Sequence, residues 1–125
     1  MTAIEEWKPS EAFIKWLDKT QEERDGLAAY GATGKPPTKE GQALDSLKAI
    51  EMTDAAARLR AEAEKHLTNE KSRAMFEVRK NNPDLNSRER EAVEKSMVAD
   101  VQLVVDACEI TEKSCLSRYF NYKGR

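Results

Sequence analysis

An all-α fold is the expectation for this 125-residue chain: a long antiparallel helical hairpin preceded by a shorter N-terminal helix. Three observations predict it. From Leu44 to Val78 apolar residues recur in steps of three and four, a helical period rather than a strand period. That run is stopped only by Asn81-Asn82-Pro83, after which a second helical pattern begins. Charged residues make up 35% of the chain and aromatics 6%, so apolar material is thin and suits amphipathic helices that each bury one stripe. A two-helix hairpin leaves much of its apolar surface uncovered, so self-association into a homo-oligomer, with coiled-coil-like seams, is expected.

The length fits one domain, divided into an N-terminal helical segment (1–30), a Gly/Pro linker (31–41) and the hairpin (42–121). Pro9-Ser10 opens the first helix, with Ser10 as N-cap. Phe13, Ile14 and Leu17 share one face beside Trp16. The pattern runs to about Gly26, with Leu27, Ala28 and Tyr30 as a last apolar turn or a separate one. In the linker, two glycines and Pro36-Pro37 exclude helix.

Thr38 caps the long helix, with Glu40 in its first turn. Its stripe is Leu44, Leu47, Met52, Ala56, Leu59, Ala63, His66 or Leu67, Glu70, Ala74 and Val78. DAAARLRAEAEKHL is rich in strong helix formers. After the break, Asn86 with Glu89 three residues on forms a capping box. The final helix is expected to continue unbroken to about Phe120. One stripe holds Val93, Met97, Val101, Val104, Cys108, Thr111, Cys115 and Tyr119; Val98, Val105, Glu112 and Leu116 form a second beside it. A short turn between long helices makes them antiparallel. The fold-back then sets Met97 near Glu70, Val104 near Ala63, Cys108 near Leu59 and Cys115 near Met52. The first helix packs on this hairpin or on a partner subunit.

Charge is evenly spread. Residues 1–40 carry 6 bases and 8 acids, 41–85 carry 8 and 8, and 86–125 carry 7 and 7. Bulk electrostatics therefore neither demand nor exclude nucleic acid, and a net charge of −2 disfavours a high-affinity duplex binder. Cys108 and Cys115 lie seven apart in a helical segment, about 10 Å on one face, too far to bridge each other; they read as small core residues in a reducing cytosol. The N-terminal stretch lacks the basic and apolar regions of a signal peptide. No apolar run nears the ~18 residues a membrane span needs, so a cytoplasmic location and no membrane partner are expected.

Enzymatic chemistry finds little support. His66, the single histidine, adjoins the apolar stripe, and the hairpin register sets Cys108 against Leu59 rather than against it. Glu62 and His66 stand i,i+4, a spacing common on charged helices and insufficient for a metal site. GATGKPPT lacks the spacing and the hydroxyl residue that a phosphate-binding loop requires. A non-enzyme without cofactor or metal is the expectation.

Two basic concentrations remain. Lys71–Lys80 carries four bases against one acid, with Arg88 and Arg90 across the turn; Lys113–Arg125 carries four bases and no acid. Bases at helix C-termini complement the helix dipole without any ligand. The tail also interleaves its bases with Tyr119, Phe120 and Tyr122, and pairing of phosphate charge with ring stacking holds single-stranded nucleic acid. Arg118, Lys123 and Arg125 would hold phosphates and Tyr122 would stack a base. Trp7, Phe13 and Trp16, near a flexible linker, suit an amphipathic anchor for a partner's groove; the alternative is that the tryptophans simply cover the hairpin.

The close Ser117-Arg118-x-Phe120-x-x-Lys123, entered through EKSMVADVQLVV (Glu94–Val105), resembles the UvsY-type recombination mediators of bacteriophages. Over roughly the final 35 residues that resemblance implies a small oligomerising helical protein that binds single-stranded DNA and helps to load a recombinase. The expected function is thus a phage-like accessory protein assisting recombination. The alternative is a protein–protein module serving virion assembly or inhibiting a host defence complex.

Overall fold

The computed structural model describes residues 7–32, 36 and 38–123, the last two as backbone. Within them the chain forms four helices and no strand: α1 (Glu11–Ala32), α2 (Lys39–Asn81), α3 (Ser87–Met97) and α4 (Ala99–Lys123). Among the described residues no helix is long and apolar enough to cross a membrane. The all-α hairpin is as expected, and α1 lies on it, making a three-layered bundle.

Local chemistry sets most of the helix ends. Thr38 is extended and its hydroxyl accepts from the Gly41 N–H, capping α2. At 43 residues α2 is about 64 Å long. It ends where Asn82 donates its backbone N–H to the Val78 carbonyl at 2.8 Å and Pro83 follows in the turn. Asn86 and Glu89 form the reciprocal capping box that starts α3.

Two elements differ from the sequence expectation. First, of the two alternatives for Leu27, Ala28 and Tyr30 the last-turn one holds, and α1 runs through Gly26 to Ala32, two residues into the expected linker. A mid-helix glycine costs about 1 kcal/mol, and burial of Leu27 and Tyr30 just beyond it offsets that, at ~1.5–3 kcal/mol for a large apolar side chain. Second, the final helix is interrupted at Val98, whose φ of −102° and ψ of 12° leave the helical region. Met97, Val101 and Val105 are all buried and advance by four twice in succession. In a regular helix each such step drifts by about 40°. Unwinding at Val98 takes up that drift and lets the consecutive Met97 and Val98 both face the core.

The hairpin seam is small-residue on one side and β-branched or thiol on the other. Ala49, Ala56, Leu59, Ala63, Ala74 and Val78 of α2 meet Val101, Val105, Cys108 and Cys115 of α4. Arg60 pairs with Glu112 at 2.6 Å and Asp45 with Arg118 at 2.5 Å, which fixes the antiparallel direction. α1 is also antiparallel to α2. Its Trp16 indole N–H donates to Glu62 at 2.5 Å, Glu23 meets Arg58 at 2.6 Å, and the Tyr30 hydroxyl donates to the Asp45 carbonyl at 2.9 Å.

Both ends of α1 are tied by buried charges. At the start, Glu70 of α2 is wholly buried and accepts from the Ser10 backbone N–H at 3.1 and 3.2 Å and from Arg73 at 2.6 Å. Ser10 Oγ accepts in turn from the Phe13 N–H. At the far end, Arg118 of α4 donates to Asp45 of α2 and to the Tyr30 carbonyl, with its guanidinium 4.4 Å from the Tyr30 ring centroid. These two knots choose the packing of α1 on its own hairpin.

Candidate functional site

The tail residues divide. Arg118 is only 8% exposed, and its charge is engaged by Asp45 and Tyr30 inside the bundle. The expectation that it holds a phosphate is corrected: a guanidinium paired and buried in this way is a strut between α1, α2 and α4. The side chains of Tyr122 and Lys123, and all of Arg125, lie outside the described residues.

The α1 aromatics are corrected likewise. Phe13 and Trp16 are buried in the core shared by all four helices, stacked on each other at 5.9 Å and set against His66. Trp7 packs against the same core, with Arg73 5.6 Å from its ring centroid. Their apolar surface covers the hairpin of their own chain and does not reach out to a partner's groove.

His66 lies among the Phe13 and Trp16 rings, on the boundary the sequence pattern predicts. Cys108 and Cys115 are free, buried thiols. No group of three or more His, Cys, Asp or Glu stands close enough to hold a metal among the described residues.

Burial pushes the Cys108 and Cys115 thiols up from their ordinary value of 9.0, with Arg24 and Arg118 partly opposing. The Tyr30 hydroxyl is pushed well above its ordinary 10.0, first by burial and then by the Asp45 carboxylate beside it. All three groups hold their protons more firmly folded than unfolded. Their contribution to stability is therefore full below the unfolded values and declines as pH rises through 9 and beyond. Urea unfolding at neutral pH and near pH 10 should show a marked alkaline loss, reduced in a Cys108→Ala, Cys115→Ala, Tyr30→Phe protein. Equal pH dependence in the two proteins would refute this assignment.

The other basic stretch is arranged differently. Phe76 of α2 is 64% exposed. Arg73 stands one turn before it and Arg79 and Lys80 one turn after, and no acid occupies the i±3 or i±4 positions. Arg73 is committed to Glu70. Arg79, Lys80, Arg88 and Arg90 make no ion pair among the described residues, and the first three are exposed. Arg79 and Arg90 line one shallow groove between α2 and α3, shared with Met75, Ser87, Glu91 and Glu94. Phe76 itself lies outside that groove, on the side of α2 opposite the buried Ala74 and Val78, so its nearest bases are those one turn away on its own helix. The sequence displayed these bases, and Phe76 stands off the stripe, two residues from both Ala74 and Val78, which is the signal that could have marked it as exposed.

A second concave feature lies between α1 and α4 over α2. Leu27, Ala28, Ala56, Leu59, Val104 and Cys108 line a groove of about 300 Å³, with Leu103 65% exposed at its edge. Alanines and a cysteine where larger side chains would close the bundle leave this space.

Comparison with protein-family models, curated proteins and solved structures yields no match for this chain. Function therefore rests on the surface itself.

Proposed function

We propose that this chain is a non-enzymatic helical accessory protein that binds single-stranded DNA and assists recombination, with its DNA contact at the hairpin tip. One observation carries the reading: the exposed Phe76 ring one turn from the exposed Arg79 and Lys80, which make no ion pair among the described residues, with Arg88 and Arg90 across the turn. A strand laid over α2 would stack a base on the ring while the flanking bases engage phosphates, the pairing used where single strands are held without sequence readout. The link to recombination and to a recombinase partner rests on the resemblance of residues 94–123 alone.

Fluorescence anisotropy with a labelled oligonucleotide tests it. Binding is expected at low salt and should weaken as salt rises, by about 0.7 in log–log slope per phosphate neutralised on a single strand. Phe76→Ala should weaken binding about 5- to 150-fold, matching ~1–3 kcal/mol for one stacked base. Lys80→Ser should lower the salt slope. Absence of binding at low salt ends the reading, and unchanged affinity in a Phe76→Ala, Lys80→Ser protein removes the tip from the interface. Truncation after Asn121 tests the tail separately while keeping Arg118: loss of affinity there would add Tyr122, Lys123 and Arg125 to the contact.

A second reading, a protein–protein module in virion assembly or against a host protein, is favoured by the apolar groove between α1 and α4. It is suited to receiving apolar side chains from a helical ligand.

A further inference from the structure

One end of the bundle leaves a face uncovered. Asp45 and Arg118, bonded to each other and to Tyr30, mark the side of α2 and α4 that receives α1. Leu47 stands two residues from Asp45, and Leu116 and Phe120 each stand two from Arg118. At about 100° per residue they point away from α1. Their exposures are 62%, 39% and 56%, with Leu44 at 69% and Ile50 at 38% beside them. Five large apolar side chains thus meet solvent at one end, in a chain poor in such residues.

The charges around this face are complementary between its halves. On α2 the exposed series Glu40, Leu44, Leu47, Glu51, Asp54 advances by four and three, an apolar pair between acids. On α4 the series Lys113, Leu116, Phe120 advances by three and four, an apolar pair led by a base. The Asp45–Arg118 bond sets the two series level with each other within the chain. A two-fold axis parallel to the bundle would bring α2 of one copy onto α4 of another in that same antiparallel register. Leu44 would meet Phe120 of the second copy, Leu47 would meet its Leu116, and Glu51 would meet its Lys113. An isologous contact requires this kind of self-complementarity, in which each series supplies what the other needs.

We propose that a second copy of this chain covers this face, α2 of each copy lying antiparallel on α4 of the other in a two-fold dimer. The Glu109–Lys113 pair within α4 is exposed and leaves the ammonium able to bridge to Glu51 of the second copy. Placement of the dimer face at the start of α2 leaves the hairpin tips, and Phe76, at the two-copy assembly's other end, so this inference stands or falls independently of nucleic-acid binding.

Molar mass in solution, measured by light scattering over a concentration series without oligonucleotide, tests the proposal. Twice the 14.2 kDa chain mass is expected. Leu47→Glu with Phe120→Glu should yield monomer at unchanged helical circular dichroism. Glu51→Lys alone and Lys113→Glu alone should each weaken self-association about 2- to 30-fold, since the two-fold dimer holds two such exposed ion pairs. The combined reversal should restore it relative to Lys113→Glu, since both of those proteins lack the Glu109 bridge. Monomer at every concentration overturns the proposal. So does an assembly unmoved by the Leu47 and Phe120 changes, or a face that gains mass only when a different protein is added.

Discussion

Arg118→Ala is expected to lose about 3–5 kcal/mol of folding stability, the range for removing one partner of a buried ion pair. The substitution takes the guanidinium from the Asp45 carboxylate, whose side chain is only 10% exposed, and the donor from the Tyr30 carbonyl. It also removes the cation lying over the Tyr30 ring. Since Tyr30 is the last anchor of α1, the loss should begin there. Urea unfolding followed by tryptophan fluorescence reads both the global change and the release of Trp7 and Trp16 from the hairpin. Asp45→Leu combined with Arg118→Met should recover most of the stability, because a well-packed apolar pair avoids the desolvation cost of two charges. A loss below about 1 kcal/mol in Arg118→Ala would mean that the pair is solvated and α1 is held by its apolar face alone.

Glu70→Ala is expected to cost about 2–3 kcal/mol, nearer the value of hydrogen bonds to a charged group. Its carboxylate is fully buried and answers the Ser10 backbone N–H at the start of α1, where a negative charge also complements the helix dipole. Arg73 is 46% exposed at its side chain, so water takes over part of its solvation when Glu70 is removed. That makes this loss smaller than the Arg118 loss. Glu70→Gln keeps an acceptor for Ser10 and should cost roughly half as much. Hydrogen exchange of the first turn of α1 gives the local readout: protection should fall there in Glu70→Ala before it falls in α2. Uniform loss of protection along the chain would contradict a localised role.

The two knots show where sequence reasoning reaches and where it stops. Pro83, the Thr38 cap and the Asn86–Glu89 box were legible because each acts over three or four residues. The seam order was legible too, because a tight turn between two periodic helices leaves one way to fold back. Glu70 was read as a place in the stripe, but its buried charge had no visible reason. Its partner, the Ser10 N–H, lies 60 residues away. Arg118 was read as a free base in a basic tail, and its partners Asp45 and Tyr30 are 73 and 88 residues distant. Phe13 and Trp16 had two uses of equal local appearance, covering the hairpin or seeking a partner.

Local hydrogen bonding and the spacing of apolar residues determined four things from sequence alone: that the chain is helical, where its turn falls, which faces form the seam, and where its bases cluster. Tertiary packing alone decided which charges are buried struts and which are free, turning Arg118 inward and leaving Arg79 and Lys80 in water. It also decided that α1 lies on its own hairpin. The physical reason is that burial of a charge depends on partners brought from distant parts of the chain, and side-chain type at one position carries no record of them.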